Sequence, residues 1–164
     1  MFIQNICEFV QRKLDAGLRP ELYIKNKPIR ARPGKIGEII ITKMANGHIE
    51  TTRTIKSADE FIITNPDCEE YVIDRAQLTE RYQKSDTDGL YYPKNLPQEI
   101  IFTPIDIEFI ASWGEQMNIK SGGALNITNR ANGYVYGIQA DEFTNTYTKY
   151  TSPLFEQIEI LVAN

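Results

Sequence analysis

Apolar residues recur with a helical period only at the start of this chain. Almost everywhere else they follow a strand pattern. Phe2, Ile3, Ile6, Cys7, Val10 and Leu14 fall three and four apart, with Gly17 just beyond them. That spacing predicts an amphipathic helix with a C-terminal stop, its apolar face packed on the rest of the molecule. From Leu22 onward the apolar runs are short and β-branched. Leu22–Ile24, Ile36–Met44, Ile49–Lys56, Phe61–Thr64 and Tyr71–Ile73 read as strands. Asn46-Gly47 is a hairpin signal, because a type I′ turn needs positive φ at both central positions. Asn65-Pro66-Asp67 reads as a turn. Asp74 is placed to cap a short helix, Arg75–Gln83, which carries Leu78 and Tyr82 four apart.

Ser85-Asp86-Thr87-Asp88-Gly89 is polar and has no apolar anchor, so it marks a boundary. Beyond it the same series runs again. Ile105–Ser112 and Glu115–Ile119 read as strands around Trp113-Gly114. Ala124–Thr128 and Tyr134–Ile138 read as strands around a turn at Asn132-Gly133. Ala140–Tyr147 reads as a helix with Phe143 and Tyr147 four apart. Ile158, Ile160 and Val162 then predict a C-terminal edge strand.

The second series repeats residues as well as elements. Ile55-Lys56-Ser57 returns as Ile119-Lys120-Ser121, and Ile63-Thr64-Asn65 as Ile127-Thr128-Asn129. Tyr71, Ile73, Thr79, Tyr82 and Lys84 return as Tyr136, Ile138, Thr144, Tyr147 and Lys149, giving eleven identities over thirty positions. Lys25-Asn26-Lys27-Pro28 is echoed by Lys94-Asn95-Leu96-Pro97. The offset between copies is 69 at that anchor, 64 at Ile-Lys-Ser and 65 from the tyrosines onward. These changes fall in predicted turns, where length varies without turning a strand over. The expected fold is α+β, mostly β. A helix (1–20) precedes two tandem strand-rich repeats (21–88 and 89–152), each ending in a short helix. An edge strand (153–164) closes one compact unit with a shared core.

Composition narrows the function classes. The 164 residues include two cysteines, Cys7 and Cys68, too few for a disulfide framework, which points to reduced thiols in the cytoplasm. No apolar run approaches the length of a membrane span, and the N-terminus lacks the order of a signal peptide. Net charge is −4, split as +5 over residues 1–35 and −9 over the rest. Lys25, Lys27, Arg30, Arg32 and Lys35 form a basic stretch suited to an anion. It is too small a footprint to favour nucleic acid.

The string Asp59-Glu60-Phe61-Ile62-Ile63-Thr64-Asn65-Pro66, with Glu70-Tyr71-Val72-Ile73, Leu78 and Tyr82, resembles the small domain family named for its PGDYG motif. The resemblance covers Lys27–Tyr82 and, more faintly, Leu96–Tyr147. It implies a bacterial or phage protein of a family with no established activity. The chain departs at the naming motif. The matching pentapeptides are Ser57-Ala58-Asp59-Glu60-Phe61 and Ser121-Gly122-Gly123-Ala124-Leu125, and only Asp59 survives.

Signatures of common chemistry are missing. There is no phosphate-binding loop, dinucleotide fingerprint, zinc-helix motif or nucleophile elbow. The single histidine, His48, excludes a histidine-rich metal site. Asp67, Glu69, Glu70 and Asp74 cluster at one turn, but their spacing matches no calcium loop. Ser121-Gly122-Gly123 reads as a turn before a strand. Trp113, Tyr91, Tyr92, Tyr134 and Tyr150 are aromatics that the repeat does not copy. These observations point to a non-catalytic binding protein with no cofactor, holding a small anionic ligand or a protein partner, and compatible with a homo-oligomer. Arg30, Arg32, Asp59 and Trp113 are the expected ligand contacts. The alternative is a small enzyme acting on a phosphorylated or nucleotide substrate through Arg30, Arg32 and Asp59.

Overall fold

The computed structural model describes residues 1–44 and 47–151. It is mostly β. The chain opens with β1 (Phe2–Ile3) and α1 (Ile6–Asp15). It continues through β2 (Glu21–Lys25), β3 (Arg30–Pro33), β4 (Ile39–Lys43), β5 (Ile49–Thr54), β6 (Glu60–Thr64) and β7 (Glu70–Asp74) to α2 (Arg75–Arg81) and β8 (Tyr82–Lys84). Then come β9 (Tyr91–Pro93), β10 (Gln98–Phe102), β11 (Ile107–Ile110), β12 (Gln116–Ile119), β13 (Ala124–Asn129), β14 (Tyr134–Ile138), α3 (Ala140–Thr146) and β15 (Tyr147–Lys149).

The sheets cross the midpoint of the chain. A five-stranded sheet has the order β14-β13-β10-β2-β15, so a strand from the first half lies between two from the second. Elsewhere β3-β6-β7 form a sheet, and Ile29 before β3 bridges to Tyr91 of β9, which pairs with β8. β4 pairs with β5, and β11 lies between β1 and β12. Side-chain bonds tie β5 to the β11–β12 hairpin. The Trp113 indole N–H donates to the Thr52 carbonyl at 3.1 Å, and the Asn118 amide donates to that of Ile49 at 3.3 Å.

Local chemistry explains the helix ends. Asn5 caps α1 by accepting from the Glu8 N–H at 3.0 Å, and Ile6 and Val10 bury their side chains. They join Phe109, Ile119, Leu125, Ile127 and Val135 in the largest apolar cluster. Asp74 and Gln77 form a capping box on α2, with bonds of 2.7 and 3.2 Å. Both short helices end earlier than apolar spacing predicts. Tyr82 and Tyr147 are extended, because each begins a strand that pairs with the other half of the chain.

Strands β3 and β10 carry no strong apolar alternation and were not evident from pattern. Their ladders with β6 and β13 establish them. The Asn132-Gly133 turn is a 3₁₀ turn over Arg130–Asn132 closed by Gly133 at φ 76°. Gly47 has φ 85°, as a hairpin turn requires, while Asn46 lies outside the described residues. The expected C-terminal edge strand also lies outside them. Among the described residues, Cys7 and Cys68 are free thiols and no helix is long and apolar enough to cross a membrane.

Candidate functional site

Strands from both halves line a partly open cavity of about 80 Å³. That is room for several waters or a small organic molecule. Tyr71 on β7 and Tyr136 on β14 line it, and so do Tyr82 and Tyr147, the first residues after the two short helices. These are the four tyrosines that the sequence repeats.

Two cations enter among them. Lys25 lies opposite Tyr147 in the β2–β15 ladder. Its ammonium donates to the Tyr71 hydroxyl at 3.0 Å. It also stands 5.2 Å from the Tyr71 ring centre and 5.6 Å from those of Tyr82 and Tyr147. The sequence echo of Lys25 is Lys94, which behaves differently. The Lys94 N–H donates to the Arg81 carbonyl, whereas in the other ladder it is Asn26 that donates to Thr146. A one-residue shift turns a side chain to the opposite face. The Lys94 ammonium accordingly lies outside and donates to the Thr79 carbonyl at 2.6 Å.

Arg81, the last residue of α2, lies over the Tyr136 ring at 5.7 Å. Its Nη2 is buried and has no hydrogen-bond partner among the described residues. The same holds for the Tyr82 hydroxyl, on a side chain only 4 % exposed. Lys25 and Tyr71 approach that hydroxyl closely enough for it to shift both of their pKa values, yet neither meets hydrogen-bond geometry with it. Neither Lys25 nor Arg81 forms an ion pair among the described residues. Buried polar and charged groups are normally satisfied, because leaving them unpaired is costly.

The electrostatics follow from this crowding. Burial opposes the charges of Lys25 and Arg81, but the surrounding tyrosines outweigh it and both pKa values rise. Burial also raises Tyr71 and Tyr147 well above the ordinary tyrosine value. Tyr136 goes the other way. Burial would raise it, yet Arg81 and Lys25, with hydrogen bonds from Tyr147 and Asn126, bring it below its ordinary value. The Asn126 amide donates to its hydroxyl at 2.9 Å.

Acids line the other part of the cavity. Glu50 on β5 and Glu142 on α3 are 3 % and 5 % exposed. Burial first, and neighbouring acids second, push Glu50 and Glu69 up to about 8 and Glu142 to about 9. The Asn65 amide donates to Glu142 at 2.6 Å. Carboxylate oxygens of Asp67, Glu69 and Glu142 lie within 4.8 Å of one another, a set of hard oxygen donors that could hold a divalent cation.

The expected contacts are mostly elsewhere. Arg32 pairs with Glu38 at 2.8 Å, and Asp59 pairs with Arg75 at 3.4 Å. Arg30 is exposed on β3. None of the three lines the cavity, whereas Trp113 does, with the Arg53 guanidinium 5.2 Å from its ring centre. Lys25 belonged to the basic stretch that the sequence singled out. Arg81 gave no signal by type. Its only mark is that the repeat places a threonine, Thr146, at the matching position. Comparison with family models, curated proteins and solved structures returns no match.

Proposed function

We propose that this is a binding protein for a small anionic molecule, held in the cavity between two divergent copies of one strand-rich unit. The observation that carries the reading is the pair of cations, Lys25 and Arg81, without an ion-pair partner among the described residues and beside the unpartnered Tyr82 hydroxyl. An oxyanion would compensate their charge and accept the free hydrogen bonds. The order of strands supports the duplication. β3-β6-β7 and β10-β13-β14 have the same arrangement, and each is extended by a short strand from the opposite half. A junction of this kind is a natural place for a pocket.

Isothermal titration with phosphate, acetate and benzoate tests this, beside the Arg81→Gln variant. Trp113 is the only tryptophan in the chain and lines the cavity, so its fluorescence reports occupancy in parallel. At least one anion should saturate one site in the wild type and bind at least about tenfold more weakly to the variant. Binding by none of them, or equal binding to both proteins, contradicts the proposal.

A further inference from the structure

The anion reading accounts for one part of the cavity and leaves its acids unused. Glu50 and Glu142 are almost fully buried, line the same space as Lys25 and Arg81, and form no ion pair among the described residues. Glu69 lines it too, and both Glu69 and Glu142 feel the charge of Lys25 without reaching ion-pair distance. Cations and acids therefore line one partly open volume yet stay apart. The unpartnered hydroxyl of Tyr82 lines that volume as well.

We infer that the ligand is a small zwitterion, an amino acid or ω-amino acid, with its carboxylate at Lys25 and Arg81 and its ammonium at Glu50, Glu69 and Glu142. The inference rests on the anion-binding reading and adds the second charge. A cation-lined site alone would accept any small anion. Acids in the same cavity add a requirement for a donor at the far end of the ligand, and specificity follows from leaving those acids unmatched when that donor is missing. The limited volume admits a short frame rather than a nucleotide.

Proton linkage distinguishes this ligand from a plain anion. The acids facing the ammonium are Glu50, Glu69 and Glu142, with Asp67 and Asp141 beside them and Lys25 as the nearest cation. Glu50, raised to about 8 by burial and by the neighbouring acids, holds a proton at neutral pH in the free protein. An incoming ammonium favours the ionised form of Glu50, so binding releases a proton to solvent. A plain anion drawn to Lys25 and Arg81 gives no such release.

The test is calorimetry of the full chain with glycine, β-alanine and γ-aminobutyrate. Each is compared with the carboxylate lacking the amine and the amine lacking the carboxylate. Titrations run at neutral pH in two buffers of different ionisation enthalpy, which count the protons. The expected result is one amino acid binding at least about tenfold tighter than both of its analogues, with net proton release. Glu50→Gln, which keeps the shape, should reduce that preference, while the proton count needs no variant at all. Carboxylates binding as tightly as amino acids, with no protons released, overturn the zwitterion and leave the anion reading standing. Amines binding as tightly as amino acids overturn both. Silence from the whole series overturns the zwitterion, and the separate phosphate, acetate and benzoate titrations then decide the anion reading.

Discussion

At the scale of single residues, the cavity is a set of groups held in unusual charge states by burial and by one another. Tyr136 carries one consequence. The chain has nine tyrosines, and in a spectrophotometric titration at least one should ionise below the ordinary tyrosine range. Arg81→Gln removes the larger cationic influence, so that early ionisation should move upward. The buried acids carry another. Glu50, Glu69 and Glu142 have an ordinary value of 4.5 and are raised to about 8 or 9 in the fold. Across that window the folded chain holds more protons than the unfolded chain. Stability should therefore fall as pH rises from about 4.5 to about 9, then level off. Urea midpoints measured across this range check the slope, and Glu142→Gln should flatten it. Little of this was visible in sequence. A glutamate on a strand such as Glu50 reads as solvent-facing until the pairing of β5 shows which face it takes. Lys25 and Lys94 occupy the same motif, and only the one-residue difference in register separates a cavity cation from a surface one.

At the scale of elements, two short features hold the site in shape. The capping box of Asp74 and Gln77 fixes α2, whose last residue is Arg81. Asp74→Ala should cost about 1 kcal/mol of stability and weaken ligand binding, because it loosens the helix that aims the guanidinium. Gly137 on β14 lies against Ile119, where an added Cβ would come within 2.2 Å of its side chain. Gly137→Ala should destabilise by about 1–3 kcal/mol, measured by thermal unfolding beside the wild type. Most elements were legible from apolar period. α1 and the strands β2, β4 to β7 and β11 to β14 lie within a few residues of where the pattern places them. The pattern failed at β3 and β10, whose Arg-Ala-Arg-Pro and Gln-Glu-Ile-Ile-Phe segments have no simple alternation; it placed Phe2 and Ile3 in the first helix, where they form β1, and it gave no strand at β9. It also ran the two short helices past Tyr82 and Tyr147, because a tyrosine at helical spacing looks the same whether it ends a helix or starts a strand.

At the scale of the whole molecule, strands from each half complete sheets of the other. β2 is paired on both sides by strands of the second half, and β9 pairs with β8 of the first. Fragments 1–88 and 89–164, expressed separately, should each lack a cooperative unfolding transition and should regain one when mixed. Cooperative unfolding of either fragment alone would contradict that interdependence. The cavity belongs to this level of organisation, since its tyrosines and acids come from both halves while its cations, Lys25 and Arg81, come from the first. We propose that Lys25, Arg81 and Tyr82 hold an anion there, a reading open to crystallographic test. Its most direct test is the anomalous scattering of bromide in crystals of the protein. A leading bromide peak is expected in the cavity, within hydrogen-bond distance of Arg81 Nη2 or Tyr82 Oη. A cavity holding only water, with bromide confined to exposed lysines and arginines, would contradict it.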